Sequence, residues 1–322
     1  MSLRRCIARL LGAALVAVAA VPPASAQPSA APIRIVVPFP PGSIGDTVPR
    51  TLALRLQAAL GQPVIVDNRP GAAGSLGADV VAKAAADGRT LLSTTSTVTI
   101  QPHLGKPPFN VLTDLVPVSE TVAGSYVLVV QPSFPAATLR EFIELVRRNP
   151  GRFNYASYGT GSGPHLAMEL LKERAGLFIV HVPFRGAAPA MQELLAGRVE
   201  MAFDTTAAAL PQIRAGKLKA IAVGGPKAVD ALFGVPTVAS VYPGFDTDGW
   251  QGVFAPAGTP REQVLRLQAE IAKAVHAPEF ARAMADVGFS VVGSSSDAFA
   301  ARVRSEHEKW GRLIRERHIQ PD

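Results

Sequence analysis

The chain is short of thiols. Its 322 residues include a single cysteine, Cys6, placed ahead of an apolar run that reads as a removable leader. A mature chain without that leader has no thiol and no disulfide. Thiolate metal sites and cysteine nucleophiles are therefore excluded, and the fold must rest on its packed core in an oxidising compartment. Aromatic residues are also scarce, at 6%, and the basic residues are mostly scattered. This argues against nucleic-acid binding, which needs basic clusters interleaved with stacking rings. After the leader no second run of about twenty apolar residues follows, so no membrane span is expected.

Motifs of several common chemistries are missing too. No G-x-x-x-x-G-K-[ST] occurs, and Gly159, Gly161 and Gly163 fail the dinucleotide pattern because position 164 is proline. Ser43, Ser157 and Ser162 all lack the flanking glycines of a nucleophile elbow. The six histidines show neither H-x-x-x-H nor H-E-x-x-H spacing. No metal and no cofactor are expected, and His276, His307 and His318 read as surface residues of C-terminal helices.

At the start of the chain, Arg4, Arg5 and Arg9 precede the apolar run Leu10 to Val21, and Ala24-Ser25-Ala26 supplies small residues. This is the pattern of a secretory signal peptide, residues 1–26, cut after Ala26, and it implies a periplasmic protein. The formal charge of +7 includes the three leader arginines, so 29 basic residues stand against 25 acidic ones in the mature chain. A mild positive surplus agrees with a small anionic ligand without establishing one.

The rest of the chain alternates between strand and helix signals. A β-branched run, Ile33 to Val37, breaks at Pro38, Pro40, Pro41 and Gly42, and a helical pattern opens near Asp46. Val48, Leu52, Leu56 and Leu60 then recur at spacings of four, closed by Gly61. Further strands are expected at 64–68, 90–97 and 126–130, with a helix between the first two ending at Asp87-Gly88 and an irregular connection at 100–116. Thr138 and Glu141 have capping-box spacing for a helix running to Arg148. Strands at 153–157, 178–182, 199–203 and 218–223 alternate with helices in the second half. Beyond them come a strand near Trp250, a helix capped by Thr259 with Pro260 at its first position, and a short strand at 289–292. Two α/β domains with parallel sheets follow: 27–130 plus 250–322, and 131–249, with a cleft between.

Two glycine-rich strand-to-helix loops stand out. One runs from Pro38 to Asp46. The other, Ser157 to His165, places three glycines within five positions beside Ser157, Thr160 and Ser162. Such loops can turn backbone N–H groups toward a bound anion, because a helix start carries unpaired donors and the positive end of the dipole. Asp204 either takes a polar group of the ligand or caps the helix that follows. Arg185 is a rim cation or a solvated loop residue, His165 a ligand donor or a packing residue, and Trp250 a hinge or core residue. A hydrolase built on Ser162, His165 and Asp204 is the enzymatic alternative, since triads occur without the elbow motif.

With these stretches in view, the chain resembles the extracytoplasmic solute-binding receptors of the tripartite tricarboxylate transporter group, also called the Bug family. The matching runs are IRIVVPFPPG from Ile33 with Asp46, VIVDNRPGAAG from Val64, AAADGRT from Ala84, NYASYGTGS from Asn154 with His165, VPFRG from Val182, LAGR from Leu195, Phe203-Asp204, AGKL from Ala215, WQG from Trp250 and APAGTP from Ala255. The resemblance implies two Rossmann-like domains joined by a hinge, of the type II periplasmic-binding-protein kind, closing on a small carboxylate like a Venus flytrap. It implies a monomeric receptor, no catalysis, and integral-membrane partner subunits; a signalling protein in place of the permease is the other partner to consider. The implied site comprises Phe39, Pro40, Pro41, Gly42, Ser43, Ile44 and Asp46 in the first loop, and Ser157, Gly159, Thr160, Gly161, Ser162 and His165 in the second. Thr95, Ser96, Thr97, Arg185 and Asp204 complete it. One departure concerns the first loop, where the family pattern P-F-P-P-G-G-[ST]-x-D becomes Gly42-Ser43-Ile44-Gly45-Asp46. A side chain there in place of glycine, and an apolar residue in place of a hydroxyl, point to an atypical acid such as a monocarboxylate or an aromatic acid.

Overall fold

Ile33–Val37 forms the first strand, β1, with apolar residues covered on both faces and only Arg34 breaking the run. Ile33, Ile35 and Val37 pack with Val48, Leu52 and Leu56 of helix α1 (Ile44–Leu60), while Val36 joins Leu92 and Phe254 on the opposite side. Gly61 ends α1 in the left-handed conformation, φ 62°. The computed structural model describes residues 31–286 and 288–320. Cys6 and the expected leader with its cleavage site lie outside them. From Pro32 onward the chain forms one compact unit holding two sheets.

The first sheet adds β2 (Val64–Asn68), β3 (Thr90–Thr95), β4 (Leu115–Gly124), β10 (Gly249–Pro256) and β11 (Ser290–Val291), in the order β11-β4-β10-β3-β1-β2. The second contains β5 (Tyr126–Val130), β6 (Asn154–Ser157), β7 (Val180–Pro183), β8 (Met201–Thr205) and β9 (Lys219–Val223), in the order β7-β6-β8-β5-β9. Neither sheet is purely parallel as expected. β10 runs antiparallel to β3 and β4, and β5 antiparallel to β8 and β9. Tyr126–Val130, grouped by sequence with the first domain, belongs to the second sheet, where Tyr126 pairs with Thr205 and Val130 with Met201. Being buried on both faces, its valines carry no mark of which sheet they enter.

The stretch expected to be irregular holds helix α3 (Thr97–Leu104) and the start of β4, while α2 (Ser75–Ala82) stops short of Asp87. β4 escapes a hydrophobic reading because its centre is polar and yet buried. Ser119 Oγ donates to the Ser294 carbonyl at 2.9 Å, Thr121 Oγ1 to the Gln251 carbonyl at 2.8 Å, and Glu120 pairs with Arg302 at 2.8 Å. Helix α4 (Leu139–Arg148) has the expected capping box between Thr138 and Glu141. Then come α5 (Gly163–Ala175), α6 (Ala187–Leu195), α7 (Thr206–Arg214), α8 (Arg261–Val275), α9 (Pro278–Asp286) and α10 (Ser296–Glu316). Thr259 does not cap α8: Pro260 takes that position with ψ 135°, and Thr259 Oγ1 donates back to the Pro256 carbonyl at 2.7 Å.

Helix α10 ties the sheets together. Its Phe299 and Val303 pack with Trp250 and Phe254 of the first sheet, while Trp310, Leu313 and Ile314 enter the core of the second beside Leu166 and Leu170. The chain crosses between sheets at Gly124-Ser125 and again just before Gly249.

Candidate functional site

Both glycine-rich loops leave the C-terminal end of a strand and start a helix. In the first, Asp46 is buried and organises the loop. Its Oδ2 accepts from the Gly42 N–H at 2.8 Å and from Arg50 Nε at 2.6 Å, and its Oδ1 from Asn68 Nδ2 at 2.8 Å. Asn68 Nδ2 also donates to the Phe39 carbonyl at 3.0 Å. Burial pushes the Asp46 carboxyl up, yet Arg50, Asn68 and the Gly42 N–H outweigh it and hold the group below the usual range. Asp46 thus shapes the backbone of Pro40, Pro41 and Gly42, which lie exposed above it.

Ser43 stands where the related pattern has glycine, and it does so without strain at φ −71°. Its hydroxyl donates to the Pro40 carbonyl at 2.8 Å and does not cap α1. The glycine that geometry demands is Gly45: a Cβ there would lie 2.5 Å from Phe39 Cδ2, so the Phe39 ring rests on the bare helix start. The Gly45 carbonyl in turn accepts from Gln251 Nε2 at 2.7 Å. The Ile44 side chain, on which the expectation of an atypical acid rests, is outside the described part.

The second loop repeats this logic. Ser162 takes the N-cap position of α5, but its hydroxyl donates to the Gly159 carbonyl at 2.7 Å and leaves the first turn of α5 uncapped by a side chain. Beneath it lies a stack of polar groups. The Gly161 N–H donates to His165 Nδ1 at 2.9 Å, His165 stacks on His181 with centroids 3.9 Å apart, and His181 Nε2 is 2.6 Å from Ser157 Oγ. Glu169, below His165, accepts from Tyr155 Oη at 2.7 Å and Arg317 Nε at 3.0 Å and pairs with Lys172. Burial raises the Glu169 carboxyl, but its three partners outweigh burial and keep it below the ordinary range.

Ser162 and His165 are therefore each engaged with their own loop and not with one another. Ser157, which does meet a histidine, is 1% exposed beneath the loop. His307, expected at the surface, packs against His103 with centroids 4.2 Å apart, because α3 and α10 are in contact there; burial holds both rings below the usual histidine range.

Around the loops, Thr95 and Thr97 share a 2.8 Å hydroxyl contact, and the Ser96 N–H donates to the Trp250 carbonyl at 3.0 Å. Gly159 and Thr160 lie partly buried in the second loop, and Arg185 is exposed. Asp204 is buried at the end of β8, where it accepts from Tyr158 Oη and, at 2.7 Å, from the Thr205 N–H. Burial pushes it up to about 6. Sequence reading missed Tyr158 and Tyr126, both at this same end of the second sheet; no motif marks them. The two sheets meet here: Leu104 of α3 packs on Gly161, where any Cβ would collide with it, and Gly288 packs against the start of α7 at Ala207.

The two crossings adjoin this end of the sheets. Ser125 Oγ donates to Asp248 Oδ1 at 2.6 Å, Arg302 reaches Glu120 at 2.8 Å, Glu306 at 3.3 Å and the Asp248 carbonyl at 3.4 Å, and Trp250 Nε1 donates to Glu306 at 2.7 Å. Burial drives Glu120 up to about 7, against the pull of Arg302, and Asp248 up to about 6. Trp250 is thus a core residue at the crossing just before it. Among the described residues no cluster of metal ligands occurs, and no helix is long and apolar enough to cross a membrane.

Comparison with known proteins agrees with this architecture. The model of the tripartite tricarboxylate transporter family receptor matches residues 48–319. Protein BugT of Bordetella pertussis is 37% identical over 291 residues, 89% of each chain. A Rhodopseudomonas palustris protein, Rpa4515, solved with adipate, superposes with a TM-score of 0.74 at 31% identity over 90% of this chain and 98% of its own. MatC of the same organism, solved with malate, gives a TM-score of 0.69 at 30% identity, covering 88% and 98%. The two α/β sheet-plus-helix layers are those of periplasmic binding proteins of this kind.

Proposed function

This chain belongs to the tripartite tricarboxylate transporter receptor family, and from that premise we propose that it captures a small organic acid between its two sheets and hands it to integral-membrane transporter subunits. The observation that carries the reading is shared by the two loops. Ser43 and Ser162 both occupy N-cap positions, and both turn their hydroxyls onto their own loops, leaving the first-turn amides of α1 and α5 without a side-chain cap. Elsewhere in the chain Thr138, Thr205 and Ser295 do cap their helices. Uncapped amides at Ile44, Gly45 and Gly163 suit a carboxylate, each such contact contributing roughly 1 to 2 kcal/mol.

The protein works as a single periplasmic copy, freed of its leader. We assign one lobe to residues 32–124 and 249–320 and the other to 125–248, with the Arg302 cluster at the crossings between them as their hinge. Relatives solved with adipate and malate make small aliphatic acids the first candidates. A thermal-shift screen of residues 27–322 against adipate, malate, hexanoate, benzoate and glutamate tests this. An acid at a hundred times its Kd stabilises the fold by about 2.7 kcal/mol, a rise of several degrees. A flat response to every acid contradicts the reading.

A further inference from the structure

We infer that Tyr126 is a direct, specificity-setting ligand contact, its phenol donating to the carboxylate held between the starts of α1 and α5; the inference rests on the cleft reading above. Tyr126 opens β5 at the cleft end of the second sheet, opposite Thr205. Its Oη lies so close over Gly163, the first residue of α5, that any Cβ at that position would collide with it. A Cβ built on Gly249 of β10 would lie 3.3 Å from the same oxygen. Residues two apart on a strand share a face, so the phenol stands on the side of β10 from which Gln251 reaches the Gly45 carbonyl of α1 at 2.7 Å. The hydroxyl is thereby bracketed by both helix starts.

Among the described residues, Tyr126 Oη has no hydrogen-bond partner, although the residue is mostly buried and packs against the core of the second sheet. An unpartnered phenol beside the α5 start is free to donate to a ligand. Burial, with Asp204, Glu306 and Asp248 nearby, holds its proton in place, so the group remains a neutral donor at any ordinary pH. A neutral donor beside helix-start amides suits one carboxylate group whose charge the two helix dipoles offset.

The test is calorimetric titration with adipate, malate, hexanoate and benzoate, following the tightest of them in wild type, Tyr126→Phe and Ser162→Asp. The aspartate is a good N-cap and places a like charge at the α5 start, so it reports on the cleft itself. If Ser162→Asp abolishes binding and Tyr126→Phe weakens it tenfold or more, both readings stand. If Ser162→Asp abolishes binding while Tyr126→Phe binds as wild type does, the Tyr126 contact is overturned and the cleft reading survives. If neither variant changes the affinity, or no acid binds, both are overturned. Each variant is checked for folding by circular dichroism; should Tyr126→Phe fail, Tyr126→Met takes its place, keeping bulk without the hydroxyl.

Discussion

Replacing Arg302 by methionine should destabilise the fold far more at pH 8 than at pH 5. Arg302 faces Glu120 and Glu306 at 2.8 and 3.3 Å and accompanies Asp248, at the crossings between the sheets, where both glutamates are buried. Removing one partner of such a set leaves uncompensated charge and costs about 3–5 kcal/mol; the side chain is 25% exposed, which places the cost at the lower end. Glu120 is raised from 4.5 to about 7 and Asp248 from 3.8 to about 6. A carboxyl whose folded value is raised stabilises the fold fully below its unfolded value, and that contribution is lost as pH rises through the folded one. At pH 5 most of the Glu120 and Asp248 groups carry protons, so the variant loses packing, hydrogen bonds and the Glu306 pairing but leaves no charge bare on Glu120 or Asp248, and the cost is smaller. At pH 8 both are ionised and the full cost applies. Denaturant unfolding at the two pH values, followed by tryptophan fluorescence, measures the difference. Equal costs at both would refute the reasoning, because they would mean that the cluster does not change its charge over this range.

Three further outcomes follow from the loops. Asp46→Asn should cost about 1–3 kcal/mol and weaken acid binding, since an amide oxygen that accepts from the Gly42 N–H and Arg50 turns its NH2 onto the Asn68 Nδ2 donor; unfolding and calorimetry check the two effects. Gly45→Ala forces the Phe39 ring off the helix start, from a contact of 2.5 Å; overpacking of this kind costs about 1–3 kcal/mol, read as a lowered Tm. Glu169→Gln leaves Lys172 and Arg317 without their carboxylate, at about 3–5 kcal/mol. Because the Glu169 value is depressed, its contribution is present above the unfolded value of 4.5 and fades in acid, so the variant and wild type should converge in unfolding titrations at low pH.

Much of the site's frame was legible because its signals are local. β1 announces itself by β-branched residues, the loops by proline and glycine, α1 by leucines four apart, and α4 by Thr138 and Glu141. What escaped depends on partners distant in sequence. Ser119, Glu120 and Thr121 look like loop residues until Ser294, Arg302 and Gln251 satisfy them. The sheet that Tyr126–Val130 joins is set by pairing with Met201–Thr205 and Lys219–Val223, not by its own pattern. Asp46 reads as a ligand contact in a motif, yet its oxygens are directed inward to Gly42, Arg50 and Asn68. His307 reads as a surface histidine because its neighbours in sequence are charged, whereas its neighbour in space is His103.

The central claim is that two uncapped helix starts hold the acid. The most direct measurement is an amide NMR titration of residues 27–322 with the tightest acid of the panel. The account predicts the largest shifts at the N–H groups of Ile44, Gly45 and Gly163, saturating together at one Kd. Shifts that leave these amides in place and gather instead around Asp87, Arg89 and Arg266, which line a cavity beside Ile33 at the start of β1, would contradict it.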